Sequence, residues 1–288
     1  MEKNNEYVSS RGILQSCDFC STVETTNIQK MVNYPHLNLD KIKINPIIYV
    51  CGSAIPHFNL ISSFIKFPFI LVSGDCDDSP NELINFNTFI NNPLLLHWFS
   101  QNITIKHPKV TIIPIGLDYH TMKKSSTWGS ITTPNDQEYL LKSIKRTPIY
   151  DRKIKCYANF HFQMNTKYGY DRKDALNKIS EKLIYYETNH VTRLKTWLNQ
   201  VEYAFVISPH GGGYDCHRLW EALILGCIPI VKTSPIDSLY DDLPVLIVNE
   251  WSDITISLLE NTINNFKEKV FNYDKLTLKY WINKMKNI

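Results

Sequence analysis

From Pro46 onward, short apolar runs recur along the chain, and each is closed by turn or polar residues: Ile47-Ile48-Tyr49-Val50, Phe69-Ile70-Leu71-Val72 and Val110-Thr111-Ile112-Ile113. These runs are continuous rather than alternating, the pattern of strands buried on both faces of a parallel sheet. Between them, Asn81 to Phe99 carries Leu83, Ile84, Phe86, Phe89 and Ile90 at mixed helical spacing until Pro93 interrupts it. Strand, helix, strand predicts βαβ units. Because parallel strands need crossover connections, the first part of the chain reads as a small open α/β sheet.

Residues 123–147 hold Ser125-Ser126-Thr127, Gly129 and Thr132-Thr133-Pro134 and read as an excursion and linker, which sets a domain boundary near residue 150. The predicted domains are therefore 1–150 and 151–288. A second α/β series opens with a strand at Ile154–Ala158, continues with helices around Arg172–Ile184 and Thr192–Gln200, and has three more strands at Tyr203–Ser208, Ile228–Val231 and Val245–Val248. Pro229 is tolerable at the first position of its strand, directly after the Gly226 turn. The expected fold is α/β with two Rossmann-like domains. Leu276, Leu278, Tyr280, Trp281 and Ile282 predict a final helix that packs onto another element, and residues 1 to about 45 are polar, rich in Asn, Ser and Thr, without a clear pattern.

The most informative text is Ala204 to Val231, AFVISPHGGGYDCHRLWEALILGCIPIV: an apolar strand, a glycine turn, an amphipathic helix, a Gly stop and another apolar strand. Gly211, Gly212 and Gly213 allow the backbone to approach a ligand, and a helix N-terminus offers free N–H groups to phosphate oxygens. At 100° per residue His217, Arg218 and Glu221 share one face, opposite Cys216, Leu219, Trp220 and Leu223. Arg218 can pair bidentately with a pyrophosphate and Glu221 can accept hydrogen bonds from ribose hydroxyls. An ordinary Arg–Glu surface pair would look the same on the helix alone; the glycines and the preceding strand favour the ligand site. A dinucleotide fingerprint fails because Cys216 stands where a third glycine is needed, and no G-x-x-x-x-G-K-[ST] occurs.

The segment SPHGGGYDCHRLWEALILGCIPIV resembles the C-terminal donor-binding signature of exostosin-like glycosyltransferases, closest to their short versions without a membrane anchor. FILVSGDCDD, LLLHWFSQN and IPIGLDYH are similar to N-terminal segments of the same group, so the resemblance covers residues 46 to about 255. It implies the glycosyltransferase B architecture, two Rossmann-like domains facing a cleft, with the last helix packing back on the N-terminal domain. It also implies transfer of a sugar, with inversion, from a nucleotide-diphosphate-sugar to a glycan or other hydroxyl acceptor. His210, Gly211, Gly212, Gly213, Asp215, His217, Arg218 and Glu221 form the expected donor site.

An inverting transfer needs a general base, for which Asp75, Asp118 and His120, each following a predicted strand, are the candidates. Asp75-Cys76-Asp77 also resembles a D-x-D, and a metal-dependent transferase using Asp75 and Asp77 is the internal rival. A non-catalytic nucleotide-sugar or glycan-binding protein that retains the fold is the alternative from another class. Since Arg218 and the helix N-terminus can neutralise a diphosphate, the expectation is no metal and no other cofactor. Lys232, after the strand ending at Val231, is a marginal phosphate contact.

Composition narrows these readings without redirecting them. A length of 288 residues suits two domains, and 43% hydrophobic with 20% charged residues suits a folded globular chain. A net charge of +3 is too small for a nucleic-acid footprint. The N-terminus lacks an apolar signal region, and Leu60–Val72, broken by Lys66 and Pro68, is too short to span a bilayer, so a cytoplasmic location is expected. Seven cysteines of irregular spacing point to reduced thiols, and no second pair completes a zinc set around Cys17 and Cys20.

Overall fold

The computed structural model of the protein describes residues 2–20, 44–160 and 164–288. Most of the polar stretch 1–45 lies outside the described residues. In its described part, helix α1 (Ser10–Ser16) is capped by the Ser9 hydroxyl accepting the Gly12 N–H, and Phe19 bridges to Ile48 beside the first strand. The chain divides into two compact units, Met1–Ile115 with Thr277–Ile288, and Gly116–Leu276. The segment 116–150 thus groups with residues 151–276, and the C-terminal helix (Leu278–Lys286) groups with the first unit, where it packs on α1.

The first unit holds a four-stranded parallel sheet in the order β1 (Ile47–Cys51), β2 (Phe69–Gly74), β3 (Leu95–Ser100), β4 (Val110–Ile112). Helices α2 (Ile55–Ile61) and α3 (Phe86–Ile90) connect these strands. Strand β3 corrects the helical reading of 81–99. The helix there is only five residues long, and after Pro93 the chain enters the sheet, with Leu95, Trp98 and Phe99 fully buried between β2 and β4. A run apolar on both faces fits a strand with a neighbour on either side better than an amphipathic helix.

The second unit opens with α4 (Ser125–Trp128) and α5 (Pro134–Ser143), the latter started by a Thr133–Asp136 capping box with Pro134 in its first turn. Its five-stranded parallel sheet runs β6 (Ile184–Tyr186), β5 (Lys153–Ala158), β7 (Tyr203–Ile207), β8 (Ile228–Lys232), β9 (Leu246–Val248). Strand β6 falls where the sequence predicts the end of a longer helix. Helix α6 (Gly169–Lys178) stops earlier, and a three-residue edge strand is too short to print a pattern. Alternate residues Cys156, Ala158, Phe205, Ile207, Ile228 and Ile230 line one sheet face against Ala175 of α6 and Leu259 and Ile263 of α9 (Ile256–Lys267). Helices α7 (Arg193–Gln200) and α8 (His217–Ile224) pack on β7 and β8 respectively.

Helix α8 ends as its sequence suggests. Gly226, with φ of 71°, supplies the left-handed residue; its N–H bonds the Leu223 carbonyl and the Cys227 N–H bonds that of Ala222. The Arg152 guanidinium closes the remaining gap by donating to the Leu225 carbonyl at 3.0 Å.

Candidate functional site

In the second sheet the chain moves outward from β5 to β6, then returns to the far side of β5 as β7 and continues away through β8 and β9. The strand order therefore reverses between β5 and β7. In open parallel sheets such a reversal leaves a crevice at the carboxyl ends of the two strands, because the connections leave in opposite directions. A cavity of about 170 Å³ lies there, lined by Thr127, Asn159, His190, Val191, Arg193, Thr196 and Arg218. Asn159 directly follows β5, Arg218 is in the first turn of α8, and Arg193 and Thr196 come from the first turn of α7.

Two guanidinium groups thus wall one small cavity. Arg218 Nε donates to Asn159 Oδ1 at 3.2 Å and its guanidinium lies 5.9 Å from the Phe160 ring centre, while its Nη1 is buried without a hydrogen-bond partner among the described residues. Burial, with Arg172 and Arg193 adding repulsion, pushes Arg218 down to about 10, only partly opposed by Cys216 and Glu221. Arg193 stacks over the Trp128 ring at 5.4 Å and also has a buried, unpartnered Nε. Native proteins rarely leave buried donors unpaired, and a cavity wall that carries two such arginines fits an anionic ligand.

Glu221 occupies a different place from the one its helical face suggests. It is 0% exposed, its Oε2 accepts the Trp197 indole N–H at 3.0 Å and faces Arg193 Nη1 at 3.4 Å, and it does not line the cavity. The reason is that α8 is covered on the side where α7 lies, so the stripe that periodicity marks as polar becomes an inter-helix contact; Leu219 to Ile224 are all buried.

The glycine turn serves the protein's own packing at its first position. A Cβ on Gly211 would sit 2.3 Å from Arg172 Nη2, so glycine is needed for the guanidinium to pass, and Arg172 Nε donates to the His210 carbonyl. None of Gly211, Gly212 and Gly213 takes a positive φ. His210 is buried. Its N–H donates to Asp171 Oδ2 at 2.9 Å, its ring nitrogen lies 3.5 Å from the same oxygen, and burial lowers its pKa against the pull of Asp171. Asp215, 3% exposed, accepts the Trp220 indole N–H at 2.9 Å. Lys232 is tied to Glu250 at 3.0 Å and Asp174 at 3.5 Å.

Next to the cavity wall, His217 Nδ1 donates to the Gly116 carbonyl at 2.7 Å, which leaves Nε2 as the acceptor of the neutral ring; Nε2 has no hydrogen-bond partner among the described residues. The His120 ring stands edge-on to it at 6.0 Å. Asp118 caps its own loop by accepting the N–H groups of His120 and Thr121 and the Thr121 hydroxyl. Burial alone would raise its pKa, yet His217, the Thr121 hydroxyl, Arg193 and His120 together hold it well below the usual carboxylate range. Asp118 and His120 group with the second unit, whereas Asp75 lies in the first, where its carboxylate accepts the Tyr49 hydroxyl at 2.8 Å.

Sequence reasoning does not single out Arg193, Asn159 and Thr196. A signal is present: in Thr192–Gln200 the polar Arg193 and Thr196 share a face with Trp197 at spacings of three and four, an uneconomical arrangement for a purely structural helix. Among the described residues no helix is long and apolar enough to cross a membrane.

No protein-family profile matches the chain, and no curated protein matches it. Solved structures similar to it include the α,α-trehalose 6-phosphate synthase of Burkholderia multivorans, at 8% identity and a TM-score of 0.42 over 90% of this chain and 75% of that one. Another is the trehalose-6-phosphate protein of E. coli bound with UDP-2-fluoro glucose, at 10% identity and a TM-score of 0.41 over 87% of this chain and 75% of that one. The UDP-forming α,α-trehalose-phosphate synthase of Burkholderia vietnamiensis gives 8% identity and a TM-score of 0.42 over 90% of this chain and 76% of that one. At this level of identity and overlap the likeness assigns no residue and no reaction to this chain.

Proposed function

We propose that the protein is a glycosyltransferase of the B architecture that takes a nucleotide-diphosphate-sugar and transfers the sugar, with inversion, to a glycan or other hydroxyl acceptor. The observation that carries this reading is that Arg218, whose Nη1 is buried without a hydrogen-bond partner among the described residues, lines a cavity at the strand-order reversal. A leaving diphosphate needs charge neutralisation as its bond to the anomeric carbon breaks, and a preorganised guanidinium in a half-closed site supplies it. Behind it, His210, Gly211 and Asp215 hold the turn that delivers Arg218 rather than touching the donor, while Gly212 and Gly213 remain candidates for donor contact. The acceptor hydroxyl needs a base. Asp75, His120 and His217 are the groups for that role, and Asp118 keeps the loop of His120 in place.

The reading is tested by calorimetry with UDP, GDP, ADP and CDP, followed by assay of free nucleotide released from the matching sugar donors. Wild type should bind at least one nucleoside diphosphate, and Arg218→Met should weaken it by roughly 10- to 100-fold, the worth of a charged hydrogen bond. No binding of any of the four, or binding indifferent to Arg218→Met, sinks the assignment. Binding without release from any donor instead favours the non-catalytic alternative.

A further inference from the structure

We infer that Arg193 is a second phosphate ligand opposite Arg218, and that Glu221 is the buried positioning residue that holds Arg193, so that the cavity takes a diphosphate between two guanidinium groups. The inference rests on the nucleotide-sugar reading and adds to it a ligand that the glycine-turn motif does not contain.

Arg193 is fixed from two sides. Its Nη1 meets Glu221 Oε2 at 3.4 Å, and its guanidinium plane lies over Trp128 at 5.4 Å, with Trp128 in turn edge-on to Trp197 at 6.2 Å. Trp197 donates its indole N–H to the same Glu221 oxygen at 3.0 Å, so one carboxylate oxygen gathers the α7 groups that face α8. Arg193 Nε is left over by this arrangement, buried and unpartnered like Arg218 Nη1, and both residues line the cavity. Asn159 and Thr196 supply further polar groups between them, with the Thr196 hydroxyl accepting from Asn159 at 3.2 Å. Two planar donors converging on one small space suit two phosphoryl groups better than one monoanion.

Glu221 itself has no exposed surface and no place on the cavity wall. Its charge is nonetheless needed. Arg172 and Arg193 each repel Arg218, and guanidinium groups held this close without a compensating carboxylate would be costly.

The test separates a ribose ligand from a positioning residue by using inorganic pyrophosphate, which has no ribose, beside the nucleoside diphosphate that wild type binds. Arg193→Met should weaken pyrophosphate about tenfold or more. Glu221→Gln, nearly isosteric, should weaken pyrophosphate and nucleoside diphosphate by the same factor. Combined with Arg193→Met it should add little, because the two act as a unit. Thermal melts confirm that each variant is folded, and Arg193→Lys provides a charge-retaining variant, expected to recover only part of the loss because the planar fork is gone. The inference is overturned if folded Arg193→Met binds pyrophosphate like wild type, or if Glu221→Gln affects the nucleoside diphosphate alone. In either case an intact effect of Arg218→Met leaves the nucleotide-sugar reading standing. If wild type binds neither pyrophosphate nor any nucleoside diphosphate, that reading fails first and the clamp fails with it.

Discussion

The two sheets are built from the same kind of apolar strand, yet their carboxyl edges differ in order and in charge. In the first unit the strands follow one another as β1-β2-β3-β4, and the edge is tied mainly by neutral groups, with the Asp75 carboxylate accepting the Tyr49 hydroxyl as the charged exception. Trp98 Nε1 donates to Ser73 Oγ, Ser73 and Ser100 share a hydroxyl bond, and Gln101 donates to Ser10 Oγ and the Pro114 carbonyl. In the second unit the order reverses between β5 and β7, and the edge there carries Arg172, Arg193 and Arg218 with the buried carboxylates Asp171, Asp215 and Glu221. A sequential sheet leaves no crevice between diverging connections, whereas a reversal does. Strand order places the cavity, and the charged residues give it a chemical preference; the second unit has both.

Stability distinguishes the two edges most directly. Asp171 accepts the Trp251 indole N–H at 2.8 Å and the His210 N–H at 2.9 Å while only 1% exposed. Asp171→Ala leaves both donors buried and unpaired, for an expected loss of about 3 kcal/mol or more. The counterpart in the first unit, Gln101→Ala, removes neutral bonds and should cost less, about 1 to 2 kcal/mol. Urea unfolding of the two variants compares them, and a larger loss for Gln101→Ala would contradict the view that the second edge depends more on buried charge than the first.

A smaller effect in the second unit depends on pH. The Asp118 carboxyl is depressed in the folded protein relative to its unfolded value near 3.9. Its contribution is therefore fully present above about pH 4 and is lost as pH falls below that, through the lower folded value. Asp118→Asn should remove on the order of 2 kcal/mol at neutral pH and flatten the loss of stability below pH ~4. Urea midpoints measured from pH 7 to pH 3 would refute this if wild type and variant ran parallel.

Much of the fold is legible in the chain. The runs at Ile47, Phe69, Val110, Ile154, Tyr203, Ile228 and Val245 each mark a strand, because burial on both faces forces continuous apolar text. Helix α8 between a glycine turn and a Gly226 stop is equally plain. The places of β3 and β6 are not, since one lies in a segment that also carries helical spacing and the other is a three-residue edge. For the site, Arg218 can be picked out from its motif, but Arg193 cannot. Its importance arises from α7 being laid beside α8, a tertiary fact that no spacing within either helix encodes. Glu221 shows the same limit from the other side, because periodicity gives a residue's face but not which neighbour covers it.

The smallest expected effect is none at all, and it bears on the same pair of edges. The acidic cluster Asp75-Cys76-Asp77 follows β2 in the first unit, where a metal-dependent transferase would gather its carboxylates. Asp75 instead ends the strand in a left-handed conformation with φ of 54°, its N–H given to Gln101 Oε1 and its carboxylate accepting the Tyr49 hydroxyl, while Asp77 is exposed. Among the described residues no group of three His, Cys, Asp or Glu side chains is placed to hold an ion. Asp is one of the few residues that tolerate that backbone conformation, which gives Asp75 a structural reason to be there. If two guanidinium groups in the second unit neutralise the diphosphate, calorimetric affinity for a nucleoside diphosphate should be the same in EDTA, in magnesium and in manganese. It should also be unchanged in Asp77→Asn. Affinity that vanishes in EDTA, returns with manganese and is abolished by Asp77→Asn would move the diphosphate to the first edge and reverse the comparison.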